Sequence, residues 1–105
     1  MAKVVYSHIA ISDLDEIGDY VMENTNNPDS ALNAVSRIQD AIDNLIVFPE
    51  MGTQLSSMIE IETDYRFLVC GNYLAFYRIS ADNVYVDRIL HGKRDYLPIL
   101  LPGIF

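Results

Sequence analysis

The spacing of apolar positions changes character several times along the chain. Lys3 to Ile9 is rich in β-branched and aromatic residues and predicts a strand. The pattern then turns helical, with Leu14, Ile17 and Val21 on one face. Ser12 is the expected N-cap, with Asp15 three residues on. Asp13, Asp15 and Glu16 would fill the first turn, where carboxylates suit the positive end of the helix dipole. The helix is expected to fade near Asn24. A clearer helical signal follows: Asn27 suits an N-cap and Pro28 the first helical position, where its missing N–H costs nothing. Ala31, Val35, Ile38, Ala41/Ile42 and Leu45 then form a stripe expected to face the core. Pro49 ends the helix. The short Asn24–Asn27 link implies an antiparallel helical hairpin.

From Met58 the pattern is strand-like. Tyr65–Cys70 and Tyr73–Ile79 flank Gly71-Asn72, a good hairpin turn. Ser80–Asn83 is the next turn and Val84–His91 the next strand, with a weaker strand near 58–62. The tail from Leu97 is apolar but broken by Pro98 and Pro102, so it cannot form a long helix. The element order is β-α-α-β-β-β. It predicts an α+β domain spanning 1–105, an antiparallel-type sheet with the two-helix hairpin on one face. The other face is expected to be uncovered and free to present a site.

Length and composition narrow the reading. The 105 residues fit one small domain, and half of them are apolar with 21% charged, a globular balance. No apolar run is long enough to span a membrane, and no signal-type segment opens the chain. A single Cys70 excludes an internal disulfide and a multi-cysteine zinc site. The expectation is a cytoplasmic protein without metal or cofactor. The net charge of −8 is unevenly spread. Residues 1–64 hold twelve acids against Lys3 and Arg37, about −10. Residues 65–105 hold three acids against five bases, about +2. Non-specific coating of duplex nucleic acid needs a broad basic surface, which this chain lacks.

Few residues carry chemistry on their own. There is no phosphate-binding loop, dinucleotide fingerprint or serine nucleophile elbow. Cys70 reads as a structural thiol, since no base adjoins it. Arg88 to Asp95 closes a strand with His91, Gly92, Lys93, Arg94 and Asp95. It reads either as an anion or partner site, with a histidine suited to titrate near neutrality, or as a plain turn with a solvated Arg94–Asp95 pair. Arg66, Arg78 and Arg88 sit one on each predicted strand; Arg78 and Arg88 are either cross-strand neighbours or partners of acids such as Asp87. The helical acids Asp13, Asp15, Asp19, Glu23, Asp40 and Asp43 read as a solvated outer face. The tail residues Leu97, Ile99, Leu100, Leu101, Ile104 and Phe105 are too apolar to stay in water; they pack back on the sheet or bind a partner.

Several segments taken together resemble the RelE/ParE superfamily of toxins from bacterial type II toxin–antitoxin modules. They are Pro28–Leu45, Phe48-Pro49-Glu50-Met51-Gly52, Tyr65–Val69, Tyr73–Arg78 and Ile89–Asp95. Their order and spacing look most like the ParE branch. The resemblance implies a cognate antitoxin, a toxin–antitoxin hetero-oligomer or a homo-oligomer, a role in plasmid stabilisation, and block of DNA gyrase by protein contact without turnover. The RelE branch instead implies a ribosome-dependent mRNA endonuclease with a Lys/Arg cluster and a late tyrosine. Here Arg94 matches one cluster arginine and Arg66 stands near a lysine position, whereas Leu74 and Leu100 fall where a base and the tyrosine are expected. A non-toxic binding domain of the same fold is a further alternative. The candidates for chemistry are therefore Arg66, His91 and Arg94. Those for partner contact are Arg78, Lys93, Leu97, Ile99, Leu100, Leu101 and Phe105. The acidic balance departs from the basic character usual in such toxins.

Overall fold

Two long helices form a hairpin against one face of a five-stranded sheet. The computed structural model describes residues 2–104. Strand β1 is Val4–Tyr6, helix α1 His8–Thr25 and helix α2 Pro28–Asp43, continued by a 3₁₀ turn over Asn44–Ile46. Strand β2 is Thr53–Gln54, β3 Arg66–Cys70, β4 Tyr73–Ser80 and β5 Asn83–His91. A four-residue helix α3, Leu97–Leu100, closes the order. The sheet runs β1-β5-β4-β3-β2, with β1 parallel to β5 and every other pair antiparallel. The expected antiparallel-type sheet is thus mixed at one edge.

Local chemistry explains most boundaries. Asn27 caps α2, its side chain accepting from the N–H groups of Asp29 and Ser30. Asn26 takes the left-handed conformation (φ 50°) that ends α1, so only two residues join the helices. Gly71 at φ 63° makes the two-residue turn between β3 and β4. The stripe Ile38, Ile42 and Leu45 is buried against Ala75, Tyr77, Val84, Val86 and Ile89, with Leu14 and Ile17 of α1 beside it and Val35 partly buried.

Four expectations need correction. Ser7, not Ser12, caps α1: its Oγ accepts from the Ala10 N–H at 3.0 Å. The helix therefore starts one turn early, β1 stops at Tyr6, and the acids from Asp13 on lie beyond the first turn. The segment 58–62 is not a strand. Thr53 and Gln54 pair with Phe67 and Arg66 instead, because Leu55 turns inward and its N–H donates to the Tyr65 carbonyl. The second face of the sheet is not open. Phe76 and Leu90 point to that side and are covered by Leu55 and Leu100, with Phe67, Leu74, Tyr96, Leu97, Ile99 and Leu101 partly buried around them. The tail packs back on the sheet as far as Leu101; Phe105 lies outside the described residues. Finally, Asp13 is not on a solvated face: it is 6% exposed.

The burial of Asp13 follows from a break in the sheet. Strand β5 pairs with β1 only over Val84–Val86, and its register with β4 shifts so that Asp87 has no partner. The shift moves Ile89 onto the helix-packed face shared by Val84 and Val86. Where β1 ends, side chains of the Ser7–Asp13 segment occupy the freed edge of β5. Ser7 Oγ donates to the Asp87 carbonyl at 2.8 Å, and Asp13 accepts from the Ile89 N–H at 2.9 Å. Asp13 also receives both Nε and Nη2 of Arg88, at 2.9 and 3.0 Å.

Candidate functional site

Strand β5 ends in a tight turn that gathers part of the predicted site. The Arg94 N–H donates to the His91 carbonyl and the Lys93 N–H to His91 Nδ1, at 2.9 and 3.1 Å. With Nδ1 accepting, a neutral imidazole carries its proton on Nε2. The His91 ring meets Tyr73, its cross-strand partner on β4, edge-on at 5.3 Å. His91 and Arg94 share a shallow hollow of about 160 Å³ with Glu16 and Tyr20 of α1. The Tyr73 phenol is pushed above its ordinary value, first by burial and then by the neighbouring Tyr20. Arg94 and Lys93 are exposed. One histidine, two cations, two tyrosines and the Glu16 carboxylate thus meet at one end of the sheet.

Arg66 does not join them. It opens β3 opposite Tyr77, at the far end of the strands from the Cys70–Tyr73–His91 row. Four residues at ~3.3 Å each put roughly 13 Å between the two places. Its guanidinium is also occupied: Nη1 donates to the carbonyls of Glu50 and Gly52, at 3.1 and 2.9 Å. Tyr77 holds the same loop, donating to the Pro49 carbonyl and accepting from the Gly52 N–H at 2.7 and 2.9 Å. A Cβ on Gly52 would stand 2.5 Å from Tyr77 Oη, so the glycine of the Phe48–Gly52 segment is a packing requirement.

Arg78 and Arg88 are likewise committed. Arg78 Nε pairs with Asp87 at 2.9 Å, and Tyr65 Oη donates to the same carboxylate oxygen. Burial and then Asp87 push the Tyr65 phenol up to about 12. The hydrogen bond to Asp87 raises the Arg78 guanidinium, and that to Asp13 raises Arg88. These are two acid–base pairs across elements: of the two readings from sequence, pairing of Arg78 with Asp87 holds and the Arg78–Arg88 neighbourhood does not. Cys70 is buried, and burial alone pushes its thiol up to about 11, which suits a packing role. Among the described residues, no group of three His, Cys, Asp or Glu side chains is placed to hold a metal ion, and no helix is long and apolar enough to cross a membrane.

Two apolar surfaces escaped the sequence reading. Val47, Phe48 and Met51 stand exposed around a hollow of about 760 Å³ below the end of α2. Met22 and Leu32 stand exposed along the groove between α1 and α2. Both were hidden because these residues fall outside the stripes read as core, and single apolar residues on a surface carry no signal of their own.

The model of the ParE toxin of the type II toxin–antitoxin system parDE matches residues 4–96. The chain belongs to this ParE toxin family. A curated relative, "Toxin RelE2" of Caulobacter vibrioides, is 29% identical over 94 residues, covering 90% of this chain and 99% of its own. A solved structure, titled "Chromosomal ParDE TA system from P. aeruginosa", superposes with a TM-score of 0.74. It is 24% identical, covers 87% of this chain and 96% of its own, and bears on the fold. The ParE-type chain is a type II toxin, and the family implies an antitoxin as its partner. Within this ParE framework the strand-end cations Lys93 and Arg94 are exposed beside His91, while Arg66 serves the 49–52 loop.

Proposed function

We propose that this ParE-family toxin acts by protein contact, inhibiting DNA gyrase without turnover, and that its antitoxin neutralises it. The observation that carries this is the dispersal of its cations. A nuclease that activates a ribose 2′-OH needs a base and several cations converging on one phosphate. Here Arg66, Arg78 and Arg88 are spent on backbone carbonyls or acids at three separate places. The match to the ParE family supports the same direction. The rival reading, a ribosome-dependent mRNA endonuclease, draws on the hollow that joins His91 and Arg94 and on the relative named RelE2. Purified protein added to a supercoiling reaction and, separately, to a translating extract discriminates them. The expected result is stalled supercoiling with intact messages, reversed by antitoxin. Cleaved messages within minutes would overturn it.

A further inference from the structure

The hollow of about 760 Å³ below the end of α2 lies between two segments that the fold holds in place. Val47 and Phe48 both donate their N–H groups to the Asn44 carbonyl, at 3.2 and 3.0 Å, and the Met51 N–H donates to the Phe48 carbonyl at 3.2 Å. Tyr77 and Arg66 grip the same segment at Pro49, Glu50 and Gly52. Yet Val47 is 58%, Phe48 63% and Met51 51% exposed. The fold therefore presents three large apolar side chains to water on a backbone that is already ordered. A contact made through them loses little further entropy on forming. The facing wall is the turn between β4 and β5. There Ala81 and Asp82 both take the left-handed conformation, at φ 49° and 64°, where glycine or asparagine is usual. Asp82 lines the hollow, and backbone strain of this kind gathers at functional sites.

The charges round the hollow decide what covers it. Glu50 and Asp82 line it, and Lys3 is held beside Asp82: its N–H donates to Asn83 Oδ1 at 3.2 Å and its carbonyl accepts from the Val84 N–H at 2.8 Å. All three are exposed, and among the described residues none of them has an ion-pair partner. The rim thus carries both signs. A wholly acidic or wholly basic partner would satisfy one side of it and oppose the other. A second copy turned about a two-fold axis brings its lysine to the two acids and its acids to the lysine. The apolar part is matched in the same way, since one patch offers both a projecting phenyl ring and a hollow to receive one. The contact also avoids most of the charge that keeps two copies apart: eight acids lie on α1 and α2, whereas this rim has two with a lysine beside them. We infer that the Phe48 patch is the contact face of a homodimer, in which each Phe48 enters the other copy's hollow and each Lys3 faces the other copy's Glu50 and Asp82. Nine residues line the hollow, against roughly 20–30 a side in a stable complex, which makes the dimer a weak one with a dissociation constant of ~10–100 µM. The strand-end turn stays free. Tyr73, paired with His91, and Ser80, beside the Ala81–Asp82 turn, are the two ends of β4, ~23 Å apart.

The test is sedimentation equilibrium of the full chain from ~5 to ~500 µM, a range that brackets the expected constant. The wild-type chain should pass from monomer to dimer across it. Phe48→Ser and, separately, Met51→Lys should weaken association at least tenfold. Both should keep the wild-type melting temperature, because the side chains they replace are exposed. Should Phe48→Ser melt lower, Met51→Lys and the charge variants decide. Lys3→Glu alone and Glu50→Lys alone should each weaken the dimer several-fold. An equimolar mixture of these two should recover association that neither shows by itself, because opposite charges again meet across the axis. A wild-type chain that stays monomeric throughout overturns the inference. So does a dimer indifferent to Met51→Lys, or one that Leu32→Arg on the helical hairpin dissolves, since another face is then the contact. A mixture that associates no better than its components overturns the two-fold pairing of Lys3 with the two acids, and with it the choice of a second copy for this patch.

Discussion

A carboxylate buried beside Leu14 and Ile17 is costly unless its lone pairs are used, and Asp13 uses them on two guanidinium nitrogens and a backbone N–H. Asp13→Ala strands a half-buried Arg88 and the buried Ile89 N–H together. We expect a loss of ~3 kcal/mol, or roughly 12 °C or more in melting temperature for a domain this size, read by thermal denaturation. A companion Arg88→Met change should recover part of it, because a pair replaced by apolar groups is cheaper than a broken pair. In the sequence Asp13 was indistinguishable from its neighbours Asp15 and Asp19; its partner lies 75 residues away and is set by the bulge, which leaves no local signal. The same contrast separates two arginines that the sequence put in one site. Arg66→Ala removes two hydrogen bonds to the 50–52 loop and should cost about 1.5 kcal/mol. Arg94→Ala, at an exposed position, should stay within about 0.5 kcal/mol in stability while weakening toxicity in an induced-expression assay. A large stability loss from Arg94→Ala would make the strand-end turn a structural device instead of a contact surface.

At the scale of elements, what was legible is what local chemistry writes. The Asn27–Pro28 start, the Ile38–Ile42–Leu45 stripe and the Gly71-Asn72 turn each depend on residues within a few positions of one another, and each lies where expected. Strand β2 and the cap of α1 were misread for the opposite reason. Two residues of β2 pair between a loop that Tyr77 and Arg66 hold and the inward-turned Leu55, none of them signalled locally, and Ser7, unlike Ser12, also reaches the Asp87 carbonyl. Tyr77 is therefore the pin of the Phe48–Gly52 segment. Tyr77→Phe keeps the ring in the core but leaves the buried Gly52 N–H without its acceptor. It should cost about 1–3 kcal/mol and raise amide exchange selectively at residues 49–54, measured by hydrogen-exchange mass spectrometry. Uniform loss of protection would show that the loop is not held by this hydroxyl.

The molecule as a whole has two layers of core, one under the helical hairpin and one under the tail, and each predicts a bulk response. Three acids of the first and second layers are held neutral. Burial lifts Cys70 from 9.0 to about 11 and is the leading cause that takes Tyr6 and Tyr65 from 10.0 to about 12. A raised folded value means that the unfolded chain loses its proton first. Their contribution is thus complete below about pH 9 and is lost as pH climbs to about 12. Denaturant titrations should show flat stability around neutrality and a decline that starts near pH 9, with Cys70→Ala delaying the onset to about pH 10. The second layer decides the fate of the tail. Leu100 is 7% exposed and touches a cluster that includes Phe76, Leu90 and Leu55, all buried from the far side of the sheet. The sequence left two outcomes open for this segment, since prolines and leucines say only that it is apolar; the packed one is seen through Leu101, while Ile104 remains exposed. Removing the chain from residue 99 onward uncovers Phe76 and Leu90, and each large side chain returned to water forfeits roughly 1.5–3 kcal/mol. Because a domain of this size holds only about 5–15 kcal/mol in total, the truncated protein should melt far lower and aggregate. Leu100→Ala alone should cost about 2–5 kcal/mol and leave a folded but weakened monomer. A truncated chain that melts like the full one, followed by circular dichroism and sedimentation, would show that the tail is a detachable arm and that the second face of the sheet tolerates water.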